Sequence, residues 1–230
     1  DPKTLATVPG IAERWEISPD GMTYTFRLRE SVWSNGERLT AEDFVYSWRR
    51  VLEPETAAKY AYQLWYIRNA AKYTKGELKD FSQVGVRAAD ERTIEVTLEH
   101  PTAFFLDLLA FPTYMPVNRG CVEKFGSRWT RPENMVGNGP FVLAEWKAQD
   151  QIVMWKNPRY WRADDVKLDG VVAFAITDDN TALRRYKAGE LDWVVRSLPD
   201  LMVPRLKERP DYHRAVSLGT HFYRFNCSRK

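Results

Sequence analysis

Hydrophobic and polar positions alternate most cleanly near the start of the chain, where Tyr24, Phe26 and Leu28 interleave with Thr25, Arg27 and Arg29. Period two is the mark of a strand with one buried face. Pro19-Asp20-Gly21 before it reads as a turn, and Asn35-Gly36 after it as a loop. The period then changes. Thr40 stands where an N-cap belongs and Asp43 at the third helical position, close to a capping box. Phe44, Trp48, Val51 and Leu52 follow at helical spacing, which predicts a helix over 41–52 with one apolar stripe, ended by Pro54.

Further along, the pattern is less regular. Thr56–Tyr73 is aromatic and alanine-rich and reads as one or two helices, with a polar loop at 76–81. Val84–Leu98 predicts a hairpin turning at Asp90-Glu91-Arg92, its second strand carrying Ile94, Val96 and Leu98 on one face. A short helix is expected at 104–109, an extended piece between Pro112 and Pro116, and another helix at 121–129. Gly137-Asn138-Gly139-Pro140 opens a second hairpin, 141–146 with 151–155. Gly170–Ile176 is continuously apolar and reads as a strand buried on both faces. Asn180–Ala188 reads as a helix stopped by Gly189, with a strand at 191–195, a helix at 198–207 and strands at 213–218 and 221–226. Strands and helices alternate, so the class is α/β, mixed α+β.

Composition sharpens this only a little. At 230 residues with 44% hydrophobic and 28% charged positions, the chain can bury a full core as one or two domains. The net charge of +3 is interleaved and forms no basic stripe, so no nucleic-acid partner is indicated. The most apolar segment, Ala103–Ala110, contains Asp107 and is too short to span a membrane. No leader pattern follows Asp1-Pro2-Lys3, which reads as a mature form or an excised fragment. Cys121 and Cys227 form no metal-type pair; a bridge and two free buried thiols both remain open. Most of the 9 tryptophans are expected in the core.

No arrangement of residues points to catalysis or to a metal. His100, His213 and His221 lack ligand spacing, and no nucleophile elbow or phosphate loop is present. Gly137-Asn138-Gly139 precedes a strand, where a turn explains it. Asp164-Asp165 and Asp178-Asp179 lie in polar stretches and read as turns or helix caps. The reading is a protein that is not an enzyme and uses no cofactor.

Beyond these local readings, residues Ile11–Trp48, with WEIS, DG, YTF, LRE, NG and LTAEDFVYSW in that order, resemble a known family. It is the extracytoplasmic solute-binding proteins of dipeptide, oligopeptide and nickel ABC importers, and the likeness is strongest to the oligopeptide-binding members. VEKFGSRWTRPENMVGNGPFVLAEW (Val122–Trp146), NPRYW (Asn157–Trp161) and RRYKAGELDWV (Arg184–Val194) resemble further landmarks of the family, in family order. Members are more than twice as long and close two lobes over a ligand. The resemblance therefore implies a periplasmic-binding-protein-like first lobe, with a mixed main sheet, helices and a small α/β subdomain. Residues 1–118 would be that subdomain, 119–218 part of the base subdomain, and 219–230 the hinge and the start of the second lobe.

It also implies a function: the substrate-binding component of a peptide ABC importer, a monomer outside the cytoplasm, lipid-anchored in its full-length form. Its partners would be a peptide ligand and the importer's permease subunits. The same fold binding a nickel chelate, haem, a murein peptide or a sugar oligomer, or serving as a sensory module, stands as the alternative. Tyr60 matches a tyrosine whose hydroxyl helps hold the ligand's amino terminus, or else is an ordinary helix-face aromatic. Of the other cleft-facing positions, Val195 and Arg196 fall where relatives carry a Tyr-Asn pair, Phe222 falls at an aromatic position, and Arg224 falls where an acidic residue is usual. The two arginines would favour acidic side chains or a ligand carboxylate, or else stand in water at the rim. Gly219 replaces a cysteine that bridges to the second lobe in close relatives, so that disulfide is expected to be absent.

Overall fold

The alternating segment around Tyr24 forms the centre of an antiparallel sheet in the computed structural model, which describes all residues except 1–3, 5, 195–197, 215–221, 224 and 228–230. The strands are β1 (Ala12–Ile17), β2 (Thr23–Leu28), β3 (Val86–Asp90) and β4 (Thr93–Thr97), ordered β1-β2-β4-β3. The first turn closes as Asp20 accepts hydrogen bonds from the Ser18 hydroxyl and the Met22 N–H, with Gly21 at φ 70. Only glycine enters that region without strain. Tyr24 pairs with Val96 and Phe26 with Ile94 across β2 and β4. Their side chains, with Leu28 and Leu98, are buried on one face. The opposite face carries Arg27, Arg87 and Glu95, tied by exposed ion pairs that include Arg87–Glu95.

Helix α1 (Ala41–Leu52) covers the apolar face with Phe44, Trp48 and Leu52. Its start is fixed as predicted, the Asp43 carboxylate accepting the Thr40 N–H at 2.8 Å. Val51 is only partly buried, and Ser47 takes the inward position. The Ser47 hydroxyl accepts the Val117 N–H and donates to the Asp43 carbonyl, so its polarity is satisfied inside. The Trp48 indole donates to the Tyr114 carbonyl at 2.8 Å.

Several expectations are corrected. Thr56–Tyr73 holds 3₁₀ turns at Pro54–Thr56 and Ala61–Tyr66 and then the short α2 (Ala70–Thr74). Left-handed backbone at Ala57 and Asn69 breaks any longer helix. Pro112–Tyr114 is a 3₁₀ turn, since proline suits its first position. The helix α3 spans Phe105–Leu108, and α4 spans Arg119–Phe125, where Asn118 caps it and Gly126 stops it. Of the tryptophans, Trp33 and Trp48 are buried, while Trp65, Trp146, Trp155 and Trp193 are exposed. Both cysteines are free, Cys121 buried and Cys227 exposed.

A second antiparallel sheet runs β5 (Phe141–Lys147), β6 (Gln151–Lys156) and β7 (Gly170–Phe174), in that order. Gly170 lies under the Trp155 ring, where a Cβ would come within 2.4 Å. The prediction of a strand buried on both faces fails for β7: Val172, Ala173 and Phe174 are exposed. It is an edge strand, and no core residue among those described comes from this sheet. A continuous apolar run records which side chains are apolar, not what covers them.

The two sheets meet at a seam built from the quoted landmarks. Ser34 donates its N–H to the Gly137 carbonyl, and its own carbonyl accepts from Arg159. The buried Asn157 side chain donates to the Gly139 carbonyl. The Arg29 guanidinium stacks on Trp161 at 3.8 Å from the ring centre.

By contact the chain divides into two units, Asp1–Phe174 and Ala175–Lys230. In the second, Asp178 caps α5 (Asp179–Lys187), accepting the Thr181 N–H, and Gly189 follows at φ 76. Helix α6 (Val203–Leu206) is preceded by a 3₁₀ turn and is shorter than predicted. Residues 191–194 are irregular, as are the described members of the strands predicted at 213–218 and 221–226. The rest of those strands lies outside the described residues.

Candidate functional site

The segment carrying Tyr60 owes its shape to a spacing of three. Ala61, Leu64 and Ile67 are buried, and a 3₁₀ helix puts every third residue on one face. Tyr60, Tyr62, Trp65 and Tyr66 are thereby turned outward. The segment is pinned from beneath: the buried Tyr114 donates its hydroxyl to the Gln63 carbonyl, and Ile67 bridges to Leu98.

Tyr60 is 49% exposed and forms the N-cap of this turn. Its ring meets Phe111 edge-on, with centroids 5.1 Å apart, and lies tilted against Tyr62 at 6.0 Å. Phe111 is half-buried and packs against the core, so the tyrosine is braced from the inside. A parallel pair lies further along the same two segments, Tyr66 edge-on to Phe104 at 5.4 Å. The buried tyrosines have spent their hydroxyls: Tyr73 on Glu53, Tyr114 on Gln63, Tyr24 on the Thr102 carbonyl. The Tyr60 hydroxyl has no partner among the described residues. A half-exposed ring held in place with an unengaged hydroxyl is equipped to donate to or accept from a ligand.

Of the other predicted site residues, Phe222 is described; it is irregular and exposed, and belongs to the second unit. Val195, Arg196 and Arg224 lie outside the described residues, as does Gly219. The structure thus places one predicted contact, Tyr60, in a defined setting. Phe111 and Tyr62, which complete that setting, were not signalled in the sequence. Phe111 lies far from Tyr60 along the chain, and Tyr62 looks like any helix-face aromatic.

In the second unit the Asp211 carboxylate accepts from both the Arg209 guanidinium and the Tyr186 hydroxyl. Those hydrogen bonds, Arg209 first, hold it well below the usual carboxylate range. The group is fully paired and has the character of a clasp between α5 and the segment after α6. Asp164 and Asp165 lie in a 3₁₀ turn, where Arg162 pairs with Asp165. No group of histidine, cysteine and carboxylate side chains that could hold a metal occurs among the described residues, nor does a helix long and apolar enough to cross a membrane.

Comparison with known proteins gives the context. The family model described as bacterial extracellular solute-binding proteins, family 5 Middle, matches residues 6–230. The chain is 41% identical over 229 residues to the oligopeptide-binding protein OppA of Bacillus subtilis, covering 96% of this chain and 41% of that protein. The crystal structure of an oligopeptide ABC transporter periplasmic binding protein (OppAIV) from Borrelia burgdorferi superposes with a TM-score of 0.86 at 40% identity, covering 89% of this chain and 41% of that one. Haemophilus influenzae OppA, solved in complex with RPPGFSPFR, gives a TM-score of 0.84 at 37% identity, covering 87% and 39%. The chain therefore spans about two fifths of the length of these relatives.

Proposed function

Since the chain belongs to the family 5 bacterial extracellular solute-binding proteins, we propose that it supplies one side of a cleft that captures oligopeptides for an ABC importer. The observation that carries this reading is Tyr60, a braced, half-exposed tyrosine with an unengaged hydroxyl, in a chain 41% identical to an oligopeptide-binding protein. In this reading the hydroxyl accepts a hydrogen bond from the peptide's α-ammonium group. Val195, Arg196, Phe222 and Arg224 stand in this reading as further ligand contacts by their resemblance to family positions, and the peptide is held along its backbone. Two lobes close over it by a hinge, and the closed form docks on membrane permease subunits. Ligand exchange needs no covalent step, so no catalytic residue is assigned.

The protein acts outside the cytoplasm as a monomer, lipid-anchored in its full-length form. Residues 1–118 serve as the small subdomain, 119–218 as part of the base, and 219–230 as the approach to the second lobe. In support, the four-stranded sheet with α1 falls wholly within the first segment and the three-stranded sheet within the second.

Two measurements on the full-length protein test this. Mass spectrometry of material released by denaturing the purified protein is expected to give peptides of similar length and mixed sequence; a single non-peptide species would overturn the peptide reading. Tyr60→Phe is expected to weaken tripeptide binding by roughly ten-fold, the worth of a hydrogen bond to a charged group. Unchanged affinity in calorimetry would remove Tyr60 from the site.

A further inference from the structure

We propose that Phe111 and Tyr62 together form a receiving surface for an apolar, above all aromatic, side chain on the first residue of the bound peptide. The proposal rests on the reading of Tyr60 above and deepens it by assigning a substrate preference.

The geometry is the starting point. Phe111 and Tyr62 flank the Tyr60 ring, one edge-on at 5.1 Å and one tilted at 6.0 Å between centroids. A peptide's first side chain leaves the same carbon that bears its α-ammonium group. A ligand whose ammonium reaches the Tyr60 hydroxyl therefore sets its first side chain down beside that ring, against one neighbour or the other.

That neighbourhood has a definite chemistry. Tyr62 is as exposed as Tyr60, and Phe111 is half-buried. Of the residues next to Tyr60, Tyr62 and Phe111 in sequence, Ala61, Gln63, Ala110 and Pro112 are uncharged, and the exposed Lys59 is the one charge. The surface offers ring faces and edges, which reward an incoming ring at centroid distances of about 4.5–7 Å beyond simple burial.

It is also rigid. The Phe111 N–H donates to the Leu108 carbonyl, its carbonyl accepts from Tyr114, and the ring packs on the core. Tyr62 is held by the 3₁₀ turn whose Gln63 carbonyl takes the Tyr114 hydroxyl. The Phe111 ring, packed on the core before binding, loses little freedom on contact and so discriminates well.

The test compares Phe-Ala-Ala with Gly-Ala-Ala on the full-length protein by calorimetry. Wild type is expected to prefer Phe-Ala-Ala. Phe111→Ala and, separately, Tyr62→Ala should each lower that ratio by roughly five- to ten-fold. Tyr62 is exposed, so its variant keeps the test open if truncation at Phe111 unfolds the protein. Phe104→Ala, an aromatic truncation beside Tyr66, should leave the ratio as it was. Tyr60→Phe should weaken both peptides and preserve the ratio. If Tyr60→Phe weakens both but neither Phe111→Ala nor Tyr62→Ala changes the ratio, this inference is wrong while the reading of Tyr60 stands. If Tyr60→Phe changes nothing, the reading of Tyr60 falls and this inference with it.

Discussion

Asp43 has two duties that pull its charge in opposite directions. Its carboxylate accepts the Thr40 N–H that opens α1 and lies 3.4 Å from the Trp33 indole nitrogen. Burial raises its pKa above the ordinary 3.8, the nearby Glu37 charge adds to the rise, and the hydrogen bonds offset only part of it. A carboxyl whose pKa is raised on folding binds its proton more tightly in the native state. Its contribution therefore favours folding as pH falls through the raised value, is complete below the ordinary value, and is lost as pH rises. Asp211 has the opposite sign. Its lowered pKa stabilises the native state above the ordinary carboxylate range and stops doing so as acid protonates it. Asp43→Ala is expected to cost about 1 kcal/mol at neutral pH through the lost cap. The cost should grow on mild acidification, as the wild type gains a contribution that the variant lacks. Urea unfolding at a series of pH values checks this; a difference between the two proteins that ignores pH would show that the burial of Asp43 is not felt.

At the scale of elements, Gly85 shows how closely the hairpin is fitted to its neighbour. A Cβ there would lie 2.3 Å from the Thr97 carbonyl oxygen and 2.9 Å from the Arg68 Cβ. Both belong to a tight arrangement in which Arg68 donates to Thr97, Thr97 to Gly85 and Gly85 to Arg68. Backbone cannot step aside as a long side chain can. Gly85→Ala is thus expected to cost about 2–3 kcal/mol, the upper part of the overpacking range, read as a lowered thermal midpoint. Gly76→Ala is the comparison: the position has φ 74 with nothing within 4 Å, so only the backbone conformation is strained, at about 1 kcal/mol. Equal losses at both sites would sink the close-fit account. This hairpin was legible in the sequence because its alternation matches one buried face, and α1 was legible because cap, stripe and proline agree. The stretch 56–73 was not, because short 3₁₀ turns broken by Ala57 and Asn69 leave no period of 3.6 and the aromatic content suggested helix. Tyr60 came from resemblance. Phe111 could come only from the fold, since its contact with Tyr60 has no trace in local spacing.

At the scale of the molecule, three of the landmarks that made the family recognisable turn out to be joinery. Ser34-Asn35-Gly36, Gly137-Asn138-Gly139-Pro140 and Asn157-Pro158-Arg159-Tyr160-Trp161 converge where the two sheets of the first unit meet, and Tyr60 lies apart from them in sequence. Motifs that settle the family therefore say little about the ligand, which depends on less regular surface segments. The three-stranded sheet has a different consequence. Trp155, Val172 and Phe174 leave an exposed apolar band on one face of this sheet, with Trp146 exposed on the other, on a chain whose composition and charge are otherwise ordinary. Anilinonaphthalene sulfonate should brighten on this 230-residue chain at neutral pH while its near-ultraviolet dichroism and cooperative melting persist. An unchanged dye spectrum would mean the band is covered. Bright dye is commonly taken as the signature of a molten globule; in this chain it would accompany firm native packing, and a folding assay that relied on it alone would mistake a well-formed surface for a loosened core.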